Sequence, residues 1–361
     1  LSQHVDRLPV VTETAGSNVA ESEAPEGQPA PADVVDEPPE FLYHYTSAAG
    51  LVGIVDLAPE KPIKVARRLE FYASDLLWMN DSTELAFAGE AICDHARELG
   101  RDLEPQWLEI CEKYLSAPSC ESLATAPRPS VCAVSFTEEA DLLSQWVTYG
   151  AGGGFAIGLD SKALHAAVYR GYRMSGGSEV HDFQCVLSRV RYGAEVRDLV
   201  AGLPLLEPGL SSALMIAAAV GSLIFSGRAI WETLKEAAEQ PPPLTSREHV
   251  AAASVVAAAA QCKHQAFDTE KEWRLLAGGG SDLPGLLGGH YRPQFRSVGS
   301  RVVPYRTITI DPLDGQPLIK DLVVGPSPNQ VQLMHAAQQL LRANGHDPSV
   351  VRPSGVPYRG W

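Results

Sequence analysis

Two carboxylates and a guanidinium recur at every second position of FDTEKEWRLL (Phe267–Leu276): Glu270, Glu272 and Arg274. Side chains of an extended chain alternate between faces, so the three share one side and leave Trp273 and Leu275 on the other. A carboxylate so placed can orient a hydroxyl or stabilise a developing cation. Periodicity alone reads the stretch as a solvated strand edge with one Glu–Arg pair. A carboxylate at a strand end before the glycine-rich GGGSDLPGLLGG (Gly278–Gly289) is also what a cleft with a mobile lid presents.

The second candidate is His44 in FLYHYTS (Phe41–Ser47). A histidine at the end of a first strand serves either packing or chemistry, and its own neighbours do not decide which. In NDSTE (Asn80–Glu84), Asp81 and Glu84 have the form of a capping box at a helix mouth, which leaves Asn80 to line a cleft. In DLLSQWVTYG (Asp141–Gly150), Leu142, Gln145, Trp146 and Tyr149 fall on one helical face, a pattern expected in a core. A glutamine there needs a hydrogen-bond partner.

Other chemistries are disfavoured. GAGGGF (Gly150–Phe155) follows a helix and precedes a strand, the reverse of a phosphate cradle, so it reads as a helix stop. The Cys-x-His pairs Cys93/His95 and Cys262/His264 fall in predicted helices, where i and i+2 diverge, so no metal site is expected. There is no Gly-x-Ser-x-Gly elbow.

The elements that must position these residues follow from pattern. FLYHY and LEFYAS read as strands, SAAGLVGIVD as a short helix capped by Ser47, and the stretch after NDSTE as a longer helix. VCAVSF, FAIGL, CVLSRVRY, EKEWRLLAG, RTITI and IKDLVVG read as further strands, and QVQLMHAAQQLLRAN as a helix closed by Gly345. Strands at both ends with helices inserted between them predict one α+β domain over residues 41–361, with a helical insertion at about 205–265.

Residues 1–40 carry nine acids, one base and six prolines but no aromatic residue, so they are expected to be a disordered tail. The whole chain, 361 residues with net charge −15, argues against sequence-independent duplex binding. Six scattered cysteines without a CxxC, and no signal peptide in the first thirty residues, point to the cytoplasm. The charge-free stretch Pro208–Gly227 is long enough for a bilayer. Its proline, glycines, serines and many alanines favour a buried helix, so no membrane association is expected.

Taken together, LYHYTS, NDSTE, SFTEEADLLSQWVTYG, GFAIGLD, FDTEKEWRLL, IKDLVVGP and VPYR resemble a bacterial family of unknown function. Its pattern is His-Tyr-Thr, Asn-Asp-x-x-Glu, Gln-Trp-x-x-Tyr and Glu-x-Glu-Trp-Arg in that order, matched here from Phe41 to Arg359. More distantly, the opening is similar to the first strand of ADP-ribosyltransferases of the diphtheria-toxin and poly-ADP-ribose polymerase type. That resemblance implies a split, mostly antiparallel sheet and NAD as substrate, without metal. It casts Glu272, Glu270 and His44 as catalytic, with Glu270 toward the acceptor. His44, Tyr45, Thr46, Tyr72, Asn80, Ser135, Gln145 and Arg274 would surround NAD. The acceptor would be a protein or nucleic acid, as for a toxin or phage-defence effector, and residues 1–40 would offer an antitoxin or partner-domain docking segment. The alternatives are a catalytically silent nucleotide- or partner-binding module of the same fold, or a metal-dependent nuclease or hydrolase of a defence system.

Overall fold

The computed structural model describes residues 37–55, 68–79, 84–99, 131–150, 153–165, 184–201, 258–278, 294–298, 300–312 and 315–357, with positions 109, 112 and 256. Residues 1–36 of the expected tail, Asn80 and Asp81, the Pro208–Gly227 stretch, most of the 205–265 insertion and the glycine loop after Gly278 lie outside these residues. So does the end of VPYR.

The described residues form a mixed α+β fold on a mostly antiparallel, ten-stranded sheet. Its strands are β1 (Phe41–Thr46), β2 (Leu69–Asp75), β3 (Val131–Thr137), β4 (Phe155–Asp160), β5 (Gln184–Arg189), β8 (Glu272–Gly278), β9 (Gln294–Val298), β10 (Arg301–Ile310), β11 (Ile319–Val324) and β12 (Val351–Pro353). Two short strands, β6 (Arg191–Tyr192) and β7 (Cys262–Lys263), pair separately in parallel. The helices are α1 (Ala48–Val55), α2 (Glu84–Leu99), α3 (Leu143–Tyr149), α4 (Ala194–Ala201) and α5 (Gln330–Ala343).

Strand β3 is the branch point. One of its edges pairs with β8 along its whole length, from Val131↔Gly278 to Thr137↔Glu272. The other edge is shared. Strand β1 meets it at Thr137 through Tyr43, and β2 meets it at Cys132 and Ala133 through Asp75 and Ser74. Between these contacts β1 and β2 part, and the sheet forks. One arm continues β1-β4-β11-β12 and the other β2-β10-β9, while β5 extends the sheet beyond β8.

Strand alternation sorts the two faces. Leu42, Phe71, Val134, Phe136, Ile157, Trp273, Leu275 and Ile308 fill the main core, together with Leu51, Ile54 and Val55 of α1 and Ala337 and Leu341 of α5. Each large apolar side chain buried there contributes about 1.5–3 kcal/mol. On the opposite face, α3 covers only the β1–β4–β11 arm, through a small cluster of Tyr43, Tyr45, Trp146, Ala156 and Val323. The rest of that face mixes Ala133, Leu276 and Val303 with the polar side chains Ser74, Ser135, Glu272, Arg274 and Arg296.

Several expectations are corrected. Strand β8 is paired on both edges, and Glu272 and Arg274 are 4% and 1% exposed, so the solvated-edge reading fails. On α3 only Gln145 and Trp146 are buried, and Tyr149 is exposed, because this helix is two turns long and its far end reaches past the small cluster. Cys262 and His264 do not lie in a helix: Cys262 is in β7, and His264 caps the 3-10 turn Gln265–Glu270 by accepting from Ala266 N–H. The helix stop at Gly150 is as expected. A Cβ there would meet Trp146 Cε3 at 2.8 Å.

Candidate functional site

Where β1 leaves β3, the Ser135 carbonyl loses its ladder partner, and a buried carbonyl needs a replacement. His44 provides it, with Nδ1 2.9 Å from Ser135 O. A carbonyl only accepts, so Nδ1 carries the proton and Nε2 is left as an acceptor. By strand parity His44 belongs with Leu42 on the core face. Its ring packs edge-on to Phe71, 5.4 Å between centroids, and against Phe136 at 5.7 Å. The fork nevertheless leaves it lining a cleft on the other side. Burial is the main cause that pushes its pKa down to about 4, so the imidazole is neutral at physiological pH.

The same β3 residue reaches Glu272. Ser135 lies directly opposite Arg274 on β8, two positions from the Thr137↔Glu272 pair and on the same face. Its hydroxyl helps to lower the pKa of the Glu272 carboxyl. Arg274 donates to that carboxylate through Nε (2.8 Å) and Nη2 (3.1 Å), and through Nη1 to Ala260 O (2.7 Å). Lys263 of β7 bridges the two acids, 2.9 Å from Glu272 Oε2 and 2.7 Å from Glu270 Oε2. The Glu272 N–H donates to Tyr192 OH at 2.8 Å. Burial alone would raise the Glu272 carboxyl. Arg274 and Lys263 outweigh it and hold the carboxylate ionised, at about 2.

Glu270 arrives by a route that strand alternation does not describe. It ends the 3-10 turn, and Lys271, in the left-handed conformation at φ 41°, turns the chain into β8. A non-glycine residue there is strained. The conformation brings both acids to Lys263, while Lys271 itself pairs with Glu139 at 2.6 Å on the surface.

On the other arm, Tyr72 and Ser74 of β2 occupy the cleft face. The Tyr72 ring packs on Tyr305 of β10, 4.8 Å between centroids. Arg296 of β9 lies 5.8 Å from the centres of both rings and donates through Nη2 to Ser74 Oγ at 2.8 Å.

The groove has a volume of about 1950 Å³, larger than a pocket for one small molecule, and α2 forms part of its rim. It gathers His44, Tyr45, Thr46, Tyr72, Ser135, Gln145, Glu270, Glu272 and Arg274, all named from sequence. Tyr45 is committed elsewhere: its hydroxyl donates to Glu139 O (3.0 Å) and accepts from Leu142 N–H (2.8 Å), which anchors α3. Sequence reasoning passed over Lys263, Tyr192, Ser74, Tyr305 and Arg296. Lys263 was hidden inside a Cys-x-His pair judged only for metal, and Arg296 lies in a short strand that the pattern did not reveal. Among the described residues no group of three or more His, Cys, Asp or Glu could hold a metal ion, and no helix is long and apolar enough to cross a membrane.

No protein-family model, curated protein or solved structure matches the chain.

Proposed function

We propose that this chain is an ADP-ribosyltransferase-like enzyme that cleaves NAD at the nicotinamide–ribose bond and transfers ADP-ribose to a protein or nucleic-acid acceptor. The observation that carries the reading is the fork of the sheet. Adjacent strands β1, β3 and β8 bring a neutral histidine and an ionised glutamate to one serine, His44 to its carbonyl and Glu272 to its hydroxyl. Breaking the C1′–N bond sends the electron pair to nicotinamide and leaves positive charge on the ribose. The acceptor then forms its bond to C1′ and loses a proton. A fixed carboxylate stabilises that charge without reorganisation. The bare Nε2 of His44 accepts from a ribose hydroxyl.

Glu272 is already engaged by Arg274, Lys263 and Ser135. Lys263 is shared with Glu270, so a ribose hydroxyl can take its place on Oε2 while Lys263 keeps Glu270 as counter-ion. The same saturation of Glu272 favours a second reading, a catalytically silent module of this fold that binds a nucleotide.

Nicotinamide release from NAD by the purified chain separates the two. The transferase reading expects release that persists in chelator and falls at least a hundredfold in Glu272→Gln, the size of effect produced by removing one transition-state-stabilising group. NAD binding with no release, equal in both proteins, means a binding module. Release that disappears in chelator means a metal-dependent hydrolase.

A further inference from the structure

Arg296 is a cation without a carboxylate partner among the described residues. Its polar contact is Nη2 to Ser74 Oγ, and its Nε is buried with no hydrogen-bond partner. A guanidinium partly withdrawn from water in this way costs free energy unless an acceptor arrives. The surroundings hold it in place: Tyr72 and Tyr305 flank it, each ring centre 5.8 Å from Cζ. Burial lowers its pKa, opposed by the two tyrosines. Lys263 and Arg274, by contrast, are neutralised by Glu270 and Glu272 in the same cleft.

The geometry points to an anion subsite at Arg296, Ser74 and the Tyr72–Tyr305 pair that takes the phosphate or pyrophosphate of a nucleotide. A guanidinium has five N–H donors in a planar fork that matches two phosphate oxygens, and here a hydroxyl stands beside it. The two tyrosine rings present a face on which a base or sugar can lie. Registers Ser74↔Tyr305 and Val303↔Arg296 place these side chains on the same sheet face as Ser135, Glu272 and Arg274, across the fork from His44. The cleft is thus divided by charge: a neutralised acid–base cluster on β8, and an open positive site on β9. On the α2 rim of the same groove, Arg97 is paired with Asp94 at 2.7 Å and with Glu112 at 3.0 Å, and Glu90 adds a negative charge there. The inference rests on the proposed reading of this cleft as an NAD site, and adds which side chains hold the phosphates.

Titration calorimetry on the full chain with ADP-ribose, ADP, adenosine and inorganic pyrophosphate tests it, because binding needs no turnover. The expected result is that ADP-ribose and ADP bind more tightly than adenosine. Arg296→Ala should weaken them about ten- to a hundredfold while adenosine changes little, and Arg296→Lys should recover part of the loss. Should the alanine variant unfold, the lysine variant and the ADP-to-adenosine ratio in the wild type still decide. Equal affinity for ADP and adenosine, failure of all four compounds to bind, or an Arg296→Ala protein that binds ADP-ribose as wild type does would overturn the assignment. Release of nicotinamide that is independent of Arg296 would remove this subsite and leave the transferase reading standing. Arg296-dependent ADP-ribose binding without release would do the reverse.

Discussion

Replacing Glu272 by glutamine keeps the side-chain shape but removes the charge that Arg274 and Lys263 share. Breaking a buried ion pair by removing one partner costs about 3–5 kcal/mol. The fall of the carboxyl from its ordinary 4.5 to about 2, at about 1.4 kcal/mol per pH unit, is worth about 3 kcal/mol. Both point to a loss of about 3 kcal/mol at neutral pH, a large share of the stability of an ordinary domain. The pH dependence follows from the sign. A carboxyl whose folded pKa lies below its unfolded one contributes in full above 4.5, and the contribution fades as pH falls toward 2. The gap between wild type and Glu272→Gln should therefore be constant from pH 5 to 8 and shrink below pH 4.5. Urea unfolding of both proteins at several pH values measures it. A gap under about 1 kcal/mol at pH 7, or one that does not narrow in acid, would refute the claim that this carboxylate is ionised and held by the two cations.

Further outcomes follow from the same geometry. Burial holds His44 near pKa 4, so its imidazole should stay neutral, with the proton on Nδ1, down to about pH 5; 15N NMR of the ring reads this directly, and a midpoint near 6.5 would contradict it. Because its folded pKa lies below the unfolded one, His44 makes the fold weaker as pH falls from 6.5 toward 4. Asp141 accepts from Trp146 Nε1, Ser354 Oγ and Gly355 N–H, so Asp141→Ala should cost about 2–3 kcal/mol in thermal or urea unfolding, with red-shifted tryptophan emission if Trp146 is released. Lys271→Val should lose about 1–2 kcal/mol against Lys271→Gly by the same unfolding assay, because a β-branched residue resists φ 41°; equal stabilities would mean that this turn relaxes.

Much of the fold was legible in the chain. The period-two pattern of EKEWRLLAG sorted Trp273 and Leu275 from Glu272 and Arg274, because strand alternation is a local property. The stop at Gly150 was legible for the same reason. The role of the acids was not, since a solvated edge and a paired interior strand share one alternation. Only β3 and β5 on either side of β8 make Glu272 a buried group. Arg296 escaped because its hydroxyl partner Ser74 lies on another strand far along the chain; Lys263 escaped because only the turn at Lys271 brings Glu270 and Glu272 together on it.

The residue types at 44, 135, 270, 272 and 274, and the strands that carry most of them, were determined by sequence. Alternation and propensity act over a few residues and need no partner. The tertiary structure alone decided that β1 and β2 share one edge of β3, so that a histidine with core parity stands in a fork beside a glutamate more than two hundred residues away. Such a fork is a choice of strand neighbours, and pairing energy depends on which distant strand arrives at that edge, information no local window of sequence contains.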